Sequence, residues 1–253
     1  MTVQHHTESF TIYAFQGDES GGASARSLCE YMQEAAGNHA AHLGFSVDRL
    51  QEAGVAWVLS RICIVPEKLP AVNDRILVET WPVAVEGLQF RRDFIVHDES
   101  GHLVARAVSY WVVVTLATRK LGRIPAFIAD AAFANSGKAL EGDFGMGKHR
   151  LPFVEEGNEA CRFRARLSDI DRNHHVNNIH YMDWILESVP ENVRKTKRLA
   201  GIELVFKSES VEGDMIAART EANLEASGGT GFFHALVREH DGRELVRGAT
   251  LWI

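Results

Sequence analysis

The stretch Ser168-Asp-Ile-Asp-Arg-Asn-His-His-Val-Asn-Asn-Ile-His-Tyr181 holds three of the chain's 12 histidines beside two aspartates and three asparagines. No other window is as dense in groups that can move protons. Asp171, Asn173 and His175 alternate ahead of a helical pattern that begins near Val176, so an extended segment there would present them on one face. The helix start beside them would offer unpaired N–H groups and the positive end of its dipole, which suit a developing oxyanion. Capping, worth about 1 kcal/mol, would account for one such polar residue but not for three. Asp169, Asp171 and Asn173 also imitate the opening of a calcium loop. His174 at its glycine position and His180 at its glutamate position exclude that reading. A zinc site has no HExxH and no cysteine partner. No GxSxG elbow and no Gly-rich phosphate loop is present, which argues against a serine hydrolase and a nucleotide enzyme.

The elements that must carry these residues come as a duplication. Val104-Ala-Arg-Ala-Val-Ser-Tyr-Trp111 matches Leu245-Val-Arg-Gly-Ala-Thr-Leu-Trp252 at an offset of 141, each after a turn opened by His-Asp, at His97-Asp98 and His240-Asp241. Asp74 and Asp214 open equivalent apolar runs 140 apart, and Tyr31-Met32 matches Tyr181-Met182 at 150. The first half reads as a strand at 10–15, a helix at 24–43 and strands near 54–65, 74–84, 88–97 and 102–116. The second reads as a strand near 159–167, a helix near 176–188 and strands near 198–209, 214–222, 230–240 and 244–253. One long helix among antiparallel strands buries its apolar face most economically inside a curved sheet. The expected fold is therefore α+β, a double hotdog, with units at 1–123 and 158–253 and an Ala/Gly-rich linker at 124–157. At the offset of 150, Asp171, Asn173 and His175 fall opposite Gly21, Ala23 and Ala25. A requirement of the fold alone should appear in both copies. The asymmetry points to chemistry in the second half and leaves the first to hold substrate.

Composition bounds the function. The chain has 253 residues, 45% hydrophobic, with 27 Lys plus Arg against 34 Asp plus Glu and a formal charge of -7. That balance argues against a nucleic-acid or anionic-membrane binder. The apolar run Trp111–Ala117 is too short to span a bilayer, and MTVQHHTESF lacks the apolar core of an export signal. Three scattered cysteines, Cys29, Cys63 and Cys161, suggest neither a disulfide framework nor a metal site. A soluble protein of the reducing cytoplasm is expected.

The run Asp169-Ile-Asp-Arg-Asn-His-His-Val-Asn-Asn-Ile-His-Tyr-Met-Asp-Trp-Ile-Leu-Glu-Ser-Val-Pro190 resembles the signature of acyl-acyl carrier protein thioesterases, the plant FatA/FatB type and its bacterial relatives. Supporting likenesses lie in Glu34-Ala-Ala-Gly-Asn-His39, Trp57-Val58, Phe90-Arg-Arg-Asp-Phe94, Ser109–Val112, Thr118-Arg-Lys-Leu121 and Ile124-Pro125. The resemblance implies a double hotdog, hydrolysis of fatty acyl thioesters, and catalytic roles for Asp171, Asn173, His175 and Glu209, the last in a strand after the second helix. Plant members carry a cysteine where this chain has Ser210, and the signature lysine is His180. The chemistry of a thioester suggests a mechanism for these residues: Glu209, with His175, activates water; Asn173 and helix-start N–H groups polarise the carbonyl; Asp171 orients Asn173 or the water. Direct attack by Asp171 through an anhydride is the alternative.

Met32, Trp57 and Trp81 are candidate walls for the acyl chain, alongside Ala35 and Ala36. The implied partner is acyl carrier protein bearing a fatty acyl-phosphopantetheine. Because that carrier is acidic, Arg194, Lys195, Lys197 and Arg198 are its candidate docking cations. A homodimer is compatible with the resemblance, and no cofactor, metal, nucleic acid or membrane is expected. An acyl-CoA thioesterase and a hotdog dehydratase are the rival enzymes. A non-catalytic acyl sensor would need a DNA-binding element that the chain does not show.

Overall fold

The computed structural model describes residues 5–18, 21–129, 137–141, 150–155 and 159–253. The chain divides into two compact units, Met1–Glu141 and Gly142–Ile253. In the first, β1 (His6–Thr11) leads to helix α1 (Ala25–His42), a short helix α2 (Val47–Glu52), then β2 (Val55–Pro66), β3 (Arg75–Glu86), β4 (Gln89–Asp98), β5 (Leu103–Thr115) and a single turn α3 (Ala126–Ala129). Ser24 caps α1 by accepting the Ser27 N–H at 3.1 Å. Leu28, Met32, Ala35, Ala36 and His39 recur at helical spacing and form its buried face. That face packs on β3, with lesser contact to β1 and β2. All strand pairs are antiparallel, in the order β1-β3-β4-β5-β2.

The second unit repeats the plan with β6 (Glu159–Arg164), α4 (Asn178–Ser188), a short α5 (Glu191–Thr196), β7 (Leu199–Phe206), β8 (Met215–Asn223), β9 (Thr230–Arg238) and β10 (Arg243–Trp252). Its order, β6-β8-β9-β10-β7, is the same arrangement strand for strand, again antiparallel throughout. The repeat extends to single hydrogen bonds. Trp111 Nε1 donates to Ser109 Oγ at 2.9 Å, and Trp252 Nε1 donates to Thr250 Oγ1 at 3.0 Å. Gly248 on β10 leaves room for α4, since an added Cβ there would lie 2.7 Å from Ile185 Cδ1. The helix ends where Val189 precedes Pro190, a pairing that disfavours helical backbone. The duplicated hotdog plan is thus present in both halves.

Three local readings change. The first strand is His6–Thr11 and not 10–15. Among the described residues of its unit it pairs only with β3, so its outward residues are polar and the apolar alternation is weak. Ala14–Gln16 is instead a 3₁₀ turn, with Gln16 Oε1 accepting the Tyr13 N–H at 3.0 Å. Within the expected linker, α3 forms and buries Ile128 against Phe45, Leu50 and Phe90; Gly142, Gly145 and Gly147 lie outside the described residues. The strand expected at 198–209 ends early, at Phe206.

Each unit also buries a histidine, His39 on the inner face of α1 and His234 on β9. His39, 4% exposed, accepts from Arg92 Nη1 at 3.1 Å. His234, 0% exposed, lies among Ser188, Thr220 and Thr250 at 2.9–3.2 Å. Burial, aided for His39 by the Arg92 charge, lowers both rings to about 3 from an ordinary 6.5. Above pH 6.5 both are neutral whether folded or not. As pH falls from 6.5 toward 3 the unfolded chain takes up the protons first, so stability should decline by at most about 1.4 kcal/mol per pH unit per ring. Urea midpoints measured from about pH 8 down to about pH 5 should show this fall, and His234→Asn should flatten it. A wild-type midpoint constant across the range would refute the account.

Candidate active site

The residues singled out in the second half form two contacting pairs on one short segment and the loop beside it. The first pair is local. Asp171 Oδ1 accepts the Asn173 N–H at 2.7 Å, and Asp171 Oδ2 accepts from Asn173 Nδ2 at 3.2 Å. The Asp171 N–H donates to the His175 carbonyl at 2.9 Å, and the His174 N–H to the Asp171 carbonyl at 3.0 Å. His174 takes φ +63°, so the backbone turns there and the expected extended run does not form. Asp171 and Asn173 meet through this turn, because an Asp side chain that captures the amide two residues on competes with extended pairing.

The second pair is distant in sequence. His175 Nε2 stands 3.2 Å from Glu209 Oε2, with side-chain exposures of 22% and 51%. Glu209 lies in the loop after β7 and not in a strand, because the ladder stops where the Lys207 and Ser208 amides both turn to the Leu245 carbonyl. Arg238 braces this loop. Its Nη1 donates to the Glu209 carbonyl at 3.1 Å, while Nε and Nη2 grip Asp241 at 3.0 and 2.7 Å. That grip holds the Asp241 carboxyl far below the usual carboxylate range.

Asn177 caps α4 through the Ile179 N–H at 3.3 Å, and its carbonyl accepts the His180 N–H at 3.0 Å. Two of the helix's first amides are therefore already engaged, which shifts the expected carbonyl-polarising role toward Asn173. His180 faces Asp169 at 3.7 Å and Asp183 at 3.9 Å. Asp169, named above only for the calcium-loop likeness and as the start of the signature run, anchors the turn. Its Oδ2 accepts the Arg166 N–H at 2.8 Å and its carbonyl the Asn177 N–H at 2.8 Å.

The remaining candidates lie elsewhere. In the first unit Met32 is fully enclosed, and Trp81, 3% exposed, stacks on His5 and donates Nε1 to the Gly137 carbonyl at 3.2 Å. Trp57 is half-buried against Phe90, its ring centroid 5.3 Å away. Of the four cations near 194–198, Lys195 pairs with Glu191 at 2.6 Å and Arg194 Nε donates to the Val189 carbonyl at 3.0 Å. Among the described residues no helix is long and apolar enough to cross a membrane.

Sequence reasoning did not single out Arg238 or Tyr181 for the site. Arg238 carries no motif, and Tyr181 was visible only through its sequence match to Tyr31, in whose place the structure sets Leu28.

Residues 3–131 match the acyl-ACP thioesterase N-terminal domain and residues 154–253 its C-terminal domain. The oleoyl-acyl carrier protein thioesterase 1 of Arabidopsis thaliana, chloroplastic, is 28% identical over 98% of this chain and 75% of its own length. The chloroplastic palmitoyl-acyl carrier protein thioesterase of Cuphea hookeriana is 30% identical over 97% of this chain; the match spans 61% of that protein. Among solved structures, an acyl-ACP thioesterase from Bacteroides thetaiotaomicron superposes with a TM-score of 0.86 at 28% identity, covering 98% of each chain.

Proposed function

Because the chain belongs to the acyl-ACP thioesterase family, we propose that it hydrolyses fatty acyl-acyl carrier protein to free fatty acid and holo-carrier, with Glu209 and His175 as its proton-transfer pair. The observation that carries the assignment of roles is the 3.2 Å contact between His175 Nε2 and Glu209 Oε2. The two residues stand 34 positions apart in sequence, so local capping does not bring them together. A carboxylate on an imidazole, both reachable from solvent, suits the deprotonation of a water molecule.

Attack of that water on the thioester carbon gives a tetrahedral oxyanion, and Asn173 Nδ2, oriented by Asp171, donates to it. Collapse re-forms the carbonyl and breaks the carbon–sulfur bond. The pantetheine thiolate leaves as a stabilised anion and recovers the proton held by the pair. Asp171 has one oxygen on the Asn173 amide and the other on its side chain. That engagement favours an orienting role over direct attack. Single-turnover hydrolysis in ¹⁸O-labelled water should place label in the product acid, and label-free product would establish the anhydride route.

The N-terminal part, 1–123, takes the acyl chain in this proposal, with Met32, Trp57 and Trp81 as walls, while 158–253 carries the chemistry and 124–157 joins them. The protein would work in the cytoplasm on an acidic carrier that meets Arg194, Lys195, Lys197 and Arg198. Matched acyl chains presented on carrier protein and on coenzyme A, across a range of lengths, test the assignment. Faster release of fatty acid and thiol from the carrier substrates is expected. Preference for coenzyme A would reassign the substrate, and no release from either would refute the activity.

A further inference from the structure

Glu209 and His175 must be held at proton-transfer distance, although one sits on an exposed loop and the other ends a turn. Ser210 follows Glu209 and Val176 follows His175. Ser210 is 0% exposed, and its carbonyl accepts the Val176 N–H at 2.9 Å. Its N–H donates to the Tyr181 phenol oxygen at 3.1 Å, and its Oγ lies 2.9 Å from the same oxygen. Tyr181 is 3% exposed on α4, its ring set edge-on to Trp184 with centroids 5.4 Å apart.

The other half supplies an internal control. There the Ala23 N–H donates to the Pro70 carbonyl at 2.7 Å, the counterpart of the Val176-to-Ser210 bond; the halves therefore align here at an offset of 153 and not 150, which corrects the sequence pairing and sets Asp171 opposite Asp18 and His175 opposite Gly22. That backbone bridge is therefore a requirement of the fold. Pro70 has no N–H to offer a phenol. The same alignment sets Leu28, which has no hydroxyl, opposite Tyr181, and Tyr31 opposite Trp184; Tyr31 donates to the Thr11 carbonyl at 2.7 Å and contacts Gln16 Oε1. Among the described residues, the phenol and its bond to the strand-end amide therefore belong to the half that carries Glu209 and His175.

We propose that Tyr181 is a positioning residue for hydrolysis, holding Ser210 through its amide and hydroxyl and thereby fixing the separation of Glu209 from His175. The inference rests on the proton-transfer pair proposed above. Burial raises the phenol's pKa, so it stays a neutral hydrogen-bonding group through the working pH range and takes no proton from the water itself. Ser210 acts here as a buried anchor and not as a nucleophile, since it is enclosed and its hydroxyl faces the phenol.

Tyr181→Phe keeps the ring and removes both bonds. It should lower kcat by about 10–100-fold with KM within about twofold, because displacements near 1 Å carry penalties of that size. It should also move the limb of the pH–rate profile that belongs to the pair. Ser210→Ala, which retains the amide, should lose less and in kcat only, and the double variant should be no worse than Tyr181→Phe. Tyr31→Phe should keep wild-type kcat. Wild-type kcat in Tyr181→Phe while Glu209→Gln is inactive would overturn the clamp and leave the pair standing. Equal losses in Tyr181→Phe and Tyr31→Phe, tracking a common loss of stability, would also overturn it. Wild-type turnover in Glu209→Gln would remove the pair, and the clamp with it.

Discussion

Glu209→Gln should lower kcat by about 10²–10⁴-fold at nearly unchanged KM, and His175→Ala should do the same. The carboxylate is the natural base for water, and an amide of the same shape still meets the imidazole but accepts no proton. The imidazole returns that proton to the leaving sulfur, so its loss interrupts the same cycle at the other end. Two residues that act as one unit are not additive: the double variant should be about as slow as the worse single variant. Asp171→Asn should cost less. Its amide still accepts the Asn173 N–H, whereas the Asn173 side chain loses the charge that orients it. The measurement is steady-state release of thiol from an acyl-carrier substrate on variants whose thermal unfolding matches wild type. A folded Glu209→Gln protein with wild-type kcat would dismiss Glu209 as the base. Independent, multiplying losses in the double variant would separate the two residues into different steps.

The duplication made much of this fold legible. Trp111 and Trp252 were visible as repeat partners, and their identical bonds to Ser109 and Thr250 explain why both the tryptophan and the hydroxyl recur. The helix at Ala25–His42 was legible because Leu28, Met32, Ala35 and Ala36 hold a 3.6-residue period over about two turns. The short helices at Val47–Glu52 and Glu191–Thr196 were not, since six residues carry too little periodicity to stand out from a loop. At the site, Asp171, Asn173 and His175 could be named because their types cluster in sequence. Their conformation could not, because the turn is set by the Asp171 carboxylate capturing a backbone amide and by the positive φ at His174. Glu209 entered through resemblance alone. A lone carboxylate in a loop has no local signature, and its meaning comes from a histidine 34 residues away.

The run Phe90–Phe94 drew notice through family likeness, yet its charges bear on stability, and Asp93→Ala should cost about 3–5 kcal/mol of unfolding free energy. Asp93 is 0% exposed and Arg91 3%. They form a two-point pair along β4, Nε to Oδ1 at 2.7 Å and Nη2 to Oδ2 at 2.8 Å. The same groups reach out of the strand: Asp93 Oδ2 accepts the Ala139 N–H at 2.6 Å, and Arg91 Nη2 donates to the Leu140 carbonyl at 2.7 Å. The pair thus pins residues 139–140 to a strand more than 40 positions earlier. Burial works to lower the Arg91 pKa, and the Asp93 carboxylate overcomes it, leaving the guanidinium above its ordinary value. Deleting Asp93 leaves that cation buried with its partner gone, whereas Asp93→Asn keeps acceptors in place and should cost less. Replacing both residues with apolar ones of similar size should recover much of the loss, since the desolvation penalty of the pair disappears with its attraction. Urea unfolding of the two single variants and the double variant measures all three values. If Asp93→Ala alone is as stable as wild type, the pair contributes nothing to holding the 139–140 segment. If the double variant is less stable than Asp93→Ala, the remaining contacts of Arg91 with Tyr110 and Leu140 outweigh the cost of its buried charge.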